Sequence, residues 1–182
     1  MPDVTGPRTA APKAADPKAA DPKAADPKAA DPKAVLTRFF ATLSTGDYDA
    51  IGEFFGPESV WMVNNVAAGF PREQGREKII FDFLRPVRDG LFEPGDPKVE
   101  VLRLIGEGDW VAAETIARGS LRNGNRYENY YAWIAQIDGE QIRFLKEYMD
   151  SAYAFEVSRP SSGQAPADEH MSEQLRRLGH ET

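Results

Sequence analysis

Hydrophobic positions change period part-way along this chain. Val35, Leu36, Phe39, Phe40 and Leu43 recur at helical spacing and form one apolar stripe. Asp31 is placed to cap that helix, Pro32 suits its first turn, and Gly46 ends it. Asp47 opens a second, shorter helix through Phe54 and Phe55, closed by Gly56-Pro57. Residues 59–64 read as a strand and 67–70 as a short partner for it. A third helix is predicted from Gly75 to about Leu91, with Ile79, Ile80, Phe83, Leu84 and Val87 inward. Pro86 should kink it or end it early.

From residue 98 the period falls to two. Val99, Val101 and, less cleanly, Arg103 alternate with Glu100, Leu102 and Leu104. Gly106-Glu107-Gly108-Asp109 turns into a strand over 110–120, and Asn123-Gly124 is the strongest hairpin signal in the chain. A strand over 126–137 follows, then Asp138-Gly139 and a last strand over 141–152. Four antiparallel strands after a helical half predict an α+β layer fold. A sheet that curls around the long helix would leave a cone with a mouth.

The two ends read differently. Asp-Pro-Lys-Ala-Ala recurs at Asp16, Asp21 and Asp26, and as Asp-Pro-Lys-Ala-Val at Asp31. A proline every fifth residue removes helix hydrogen bonds and leaves no apolar face, so residues 1–33 are expected to be a disordered spacer. The domain is expected over 34–157. Residues 158–182 read as a flexible tail in which Met171, Leu175 and Leu178 have the spacing of a short helix.

Composition then removes whole classes of chemistry. There are no cysteines, and the two histidines, His170 and His180, lie in the tail. Thiolate, zinc–cysteine and histidine chemistry are therefore outside the domain, and no metal or cofactor is expected. The net charge is −7, which disfavours nucleic acid, because binding phosphates needs a basic face. No apolar run approaches the ~20 residues of a membrane helix, and the first residues lack a signal peptide's apolar core, so the cytoplasm is the expected location.

Two strands carry polar groups in unusual company. On the third long strand, Tyr127, Asn129, Tyr131, Trp133 and Ala135 share one face, and Glu128, Tyr130, Ala132, Ile134 and Gln136 the other. Both faces are amphipathic, so alternation does not say which is interior. Asn129 and Tyr131 need hydrogen-bond partners if buried, and polar groups among aromatic rings describe a ligand pocket. On the last strand Glu147 lies between Leu145 and Met149. Either Glu147 is a pocket carboxylate whose burial raises its pKa, or it is an edge residue paired with Arg143 or Lys146.

Tyr127-Glu128-Asn129-Tyr130-Tyr131-Ala132-Trp133, Asp138-Gly139, Ile142 and Lys146-Glu147-Tyr148-Met149-Asp150 resemble the SnoaL-like group of the nuclear transport factor two-like superfamily. That superfamily includes polyketide cyclases, ketosteroid isomerases, limonene epoxide hydrolases and phenazine-biosynthesis proteins. Phe39-Phe40, Gly46-Asp47 and Ser59-Val60-Trp61 fit the same pattern, and the resemblance spans about residues 34–157. It implies a cone-shaped α+β barrel, its curved mixed sheet wrapped around a long helix with N-terminal helices, usually a homodimer. It implies Glu147 as the working acid and Trp61, Val63, Asn129, Tyr131, Trp133 and Leu145 around a small apolar organic substrate. There are departures. Val63 stands where isomerases and epoxide hydrolases carry a polar functional group. Thr115 and Ala117 stand where epoxide hydrolases carry an Arg-x-Asp pair, although Glu114 and Arg118 are close enough to matter if the register slips. One carboxylate in an aromatic pocket suits a cyclase or isomerase of polyketide-like or related natural products. A hydrolase or dehydratase, or a binding protein without turnover, are the alternatives.

Overall fold

A computed structural model describes residues 30–64 and 72–159. Helix α1 runs Pro32–Leu43, and the carboxylate of Asp31 accepts from the Lys33 N–H at 3.1 Å, so cap and proline act as the sequence indicates. Its stripe of Val35, Leu36, Phe39, Phe40 and Leu43 is buried, each side chain contributing roughly 1.5–3 kcal/mol by leaving water. Gly46, beyond the helix end, takes φ +76°, a conformation that glycine alone adopts without strain. Helix α2 is shorter than expected, Tyr48–Gly52, with Asp47 capping the N–H of Ala50 at 3.0 Å.

Strands β1 (Val60–Val63), β2 (Arg72–Gln74), β3 (Lys98–Glu107), β4 (Trp110–Ser120), β5 (Arg126–Asp138) and β6 (Gln141–Met149) form one mixed sheet in the order β2-β1-β6-β5-β4-β3. β1 lies parallel to β6, and the other pairs are antiparallel. The sheet is curved but does not close, so the expected cone remains open between β2 and β3. The partner strand expected at 67–70 lies outside the described residues, and Arg72–Gln74 pairs with β1. Among the described residues no helix is long and apolar enough to cross a membrane.

Three local departures shape the interior. Leu102 is an extra residue in β3, since Val101 faces Thr115 while Arg103 already faces Glu114. That bulge reverses the alternation, so Leu104 packs on the core and Arg103 is exposed. The helix expected over 75–91 divides into a wide π segment, Lys78–Leu84, and α3, Arg85–Leu91. Pro86 has no N–H and would press on the carbonyl four residues back. The wider turn, in which the Arg85 N–H reaches Ile80, carries the chain past it without a break. The last strand also ends earlier than 152. Asp150 caps the N–H of Tyr153 at 2.9 Å and starts α4, Ser151–Val157.

The core has two parts. The larger packs α1, Ile51, Phe55, Trp61 and the π segment onto the inner faces of β4, β5 and β6. The smaller joins Phe92, Ala117, Leu121 and Tyr127 with Tyr153 and Val157 of α4. Val99 and Tyr131 touch both clusters.

Candidate functional site

A recess of about 590 Å³, counting its open mouth, lies where the two clusters meet. The aromatic rings of Trp61, Phe83, Phe92, Tyr131 and Trp133 form part of its wall. Leu43, Leu84, Val87, Pro97, Val99 and Ala117 add aliphatic surface. Among the described residues, Glu147, Thr115, Tyr131 and Arg88 bring polar groups to it.

Glu147 comes from the inner face of β6, opposite Trp133 on β5 and Val63 on β1. It is 7% exposed. Its Oε2 accepts the indole N–H of Trp61 at 3.0 Å, and no ion pair reaches it among the described residues. The paired-edge reading with Arg143 or Lys146 therefore fails. Arg143 is exposed, and Lys146, on the opposite face from Glu147, lies over the Tyr148 ring at 5.0 Å. Burial raises the Glu147 pKa from 4.5 to about 7, and the Trp61 bond pulls it only part of the way back. Trp61 is held by edge-on contacts to Phe39, Phe83 and Trp133 and by stacking on Phe55.

The inner face of β5 is the one bearing Tyr127, Asn129, Tyr131, Trp133 and Ala135. Trp133 stacks on Tyr131 at 5.5 Å and donates its N–H to Thr115 Oγ1 at 2.9 Å. A chain of hydrogen bonds runs behind this pair. Asn129 Nδ2 donates to the Asp150 carbonyl at 3.0 Å and to the Tyr127 hydroxyl at 3.1 Å, and the Tyr127 and Tyr131 oxygens are 2.5 Å apart. Either hydroxyl can be the donor in the Tyr127–Tyr131 pair. When Tyr127 donates, the Tyr131 proton is free for a ligand in the recess. Burial pushes Tyr127 up to about 12 and Tyr131 well above its ordinary value, so both remain hydroxyl donors near neutral pH.

Of the residues expected around the substrate, Trp61, Tyr131, Trp133 and Glu147 border the recess, and Val63, Asn129 and Leu145 do not. Val63 is a small side chain packed into the larger core, while Trp61, two residues back on the same face, is long enough to reach the wall. Leu145 is fully buried in that core, in register with Trp61 and Ala135. Asn129 is consumed by Asp150 and Tyr127 and supports the wall from behind. The register on β4 is clear: Thr115 and Ala117 face the recess. Arg118 lies on the outer face, bonded to Glu100 at 2.6 Å and Glu128 at 2.9 Å, and Glu114 alternates with the inward Ala113 and Thr115. No Arg-x-Asp pair therefore enters this recess from β4.

Arg88 was missed. It lies four residues after Leu84 and eight after Ile80, on the same helical stripe, so a charge on the apolar face was legible. Phe92, Pro97 and Val99 join the wall through loop and sheet geometry that spacing does not show.

A family profile described as a SnoaL-like domain matches residues 36–145, more than half of the chain. The chain belongs to that family. Solved structures share its fold. A nuclear transport factor two-like protein of unknown function from Burkholderia pseudomallei aligns with a TM-score of 0.63 at 11% identity, covering 71% of this chain and 98% of its own. An epoxide hydrolase of the LEH-like type from M. tuberculosis gives 0.56 at 19%, covering 72% and 92%. A protein from Shewanella putrefaciens described as a SnoaL-like polyketide cyclase gives 0.56 at 13%, covering 80% and 86%. No curated protein matches the sequence. In this SnoaL-like domain the recess sits between the curved sheet and the helices, with Glu147 on its wall.

Proposed function

We propose that this SnoaL-like domain is a cyclase or isomerase of polyketide-like or related natural products, with Glu147 as its proton carrier. The observation that supports this most directly is a buried carboxyl with a pKa of about 7, held by the neutral N–H of Trp61 on the wall of an aromatic recess. Near neutral pH such a group exists in both forms. It can remove a proton from carbon as the carboxylate and return it, to carbon or oxygen, as the acid. Tyr131 offers a hydroxyl proton to a ligand oxygen, and the rings of Trp61 and Trp133 hold an unsaturated skeleton in one conformer. Hydrolysis has less support, because Thr115 and Ala117 supply no charged partner to activate water.

Deuterium exchange at C1 of 2-tetralone, a compact enolisable ketone, tests the proton transfer. The domain should accelerate exchange with a pH inflection near 7, and Glu147→Gln should lower the rate by roughly 10²–10⁴-fold. Exchange within a few-fold of the parent in that variant would exclude Glu147 as the carrier. Saturable binding without exchange would favour a ligand-binding protein.

We also infer a homodimer through the outer face of the sheet. Trp110, Ile134 and Ile105 are exposed there, with Phe144 edge-on to Trp110 at 6.1 Å. A contiguous apolar face of this kind suits a self-complementary contact about a two-fold axis.

A further inference from the structure

Arg88 is a buried cation with no ion pair among the described residues. Its side chain leaves α3 toward the recess and is 5% exposed. Nη1 donates to the Leu43 carbonyl at 2.5 Å and Nη2 to the Pro97 carbonyl at 3.1 Å. These bonds use two of the five N–H groups of a guanidinium. Nε makes no hydrogen bond among the described residues, yet no side-chain nitrogen there is both occluded and unpartnered, so Nε keeps an accessible side. The nearby carboxylates are engaged elsewhere. Asp89 accepts the Tyr48 hydroxyl at 2.5 Å and faces Arg85 at 3.5 Å, and Asp96 accepts the Ser120 N–H at 2.8 Å. Asp89, Asp96 and Tyr48 act on Arg88 only from a distance, and burial lowers its pKa. Carbonyl dipoles offset part of the cost of burying this charge, and an anion would offset the rest.

We propose that the recess takes an acidic ligand, an oxyanion such as a carboxylate or acidic enol on an otherwise apolar ring system, and that Arg88 holds that oxyanion. This rests on the reading of the recess as the ligand site and adds the charge of the ligand to it. The wall supports the same assignment. Arg88 is a donor and the Tyr131 hydroxyl can donate; among the described lining residues the one carboxyl is Glu147, and the rest is hydrocarbon or aromatic apart from Thr115. A guanidinium meets an oxyanion with two parallel N–H bonds, which fixes orientation as well as charge.

The test is calorimetric titration of the full chain at pH 6 with 2-naphthoate and 2-naphthamide, which match in shape and differ in charge. The acid should bind roughly tenfold or more tightly than the amide. Arg88→Gln should bring the ratio close to one. Arg88→Lys, which keeps the charge and loses the fork, should leave a reduced preference for the acid. A purely structural Arg88 would change stability in these variants and leave the ratio alone. Equal binding of acid and amide by the parent would overturn the inference while the recess stands as a ligand site, and so would a preference that survives Arg88→Gln. Binding of neither probe would overturn both.

Discussion

Glu147→Gln tests the central group of the site without any substrate. The variant keeps the side-chain shape and an oxygen for the Trp61 N–H, and it removes the titrating proton. In the folded chain Glu147 keeps its proton up to about pH 7, against an ordinary 4.5. Between these values the folded state holds a proton that the unfolded state has lost, so parent stability falls as pH rises through this window. Below it both states are protonated, and above it both are ionised. The interval from 4.5 to 7, at about 1.4 kcal/mol per pH unit, amounts to about 3.5 kcal/mol. Urea unfolding of parent and variant, followed by tryptophan fluorescence from pH 5 to 8, measures it. Other groups titrate alike in both chains and cancel in the difference. The variant should gain about 2–3 kcal/mol on the parent across that range. A difference constant to within about 0.5 kcal/mol would mean that Glu147 titrates as an ordinary solvated carboxyl, and the proton-transfer reading would lose its basis.

Trp61→Phe removes the one hydrogen bond that reaches the Glu147 carboxyl among the described residues. It should cost about 1 kcal/mol of stability and move the Glu147 titration above about 7, followed by carbon NMR of the carboxyl; an unmoved titration would refute that role of the indole. Ile134→Asp, on the outer face of β5, should convert a dimer to a monomer in size-exclusion chromatography with light scattering; a monomeric parent would overturn the dimer.

Much of the chain could be read locally. Turn chemistry placed the hairpins, because Gly124 and Gly139 take φ +86° and +60°, which few other residues tolerate. The turns on either side located β4 to the residue, and capping residues located the start of α1. The resemblance carried by β5 and β6 led to the family and the curved mixed sheet, now matched over residues 36–145. Glu147 stood out as a carboxyl between apolar neighbours on one face.

What the sequence determined by itself were the features set within a few residues: caps, turns, alternation and the outlying polar group. Tertiary structure decided the rest, because those matters depend on distant partners. β5 is amphipathic on both faces, and only packing under α1 and the π segment chose Tyr131 and Trp133 for the interior. The bulge at Leu102 is defined by its neighbour strand. Trp61 and Glu147 are 86 residues apart and meet only because β1 lies parallel beside β6. Val63, Asn129 and Leu145 shared faces with wall residues, yet a face runs the length of a strand and a recess occupies only part of it. Arg88 acquired its meaning when the end of α1 and the loop at Pro97 closed over it, leaving a charge inside with room beside it.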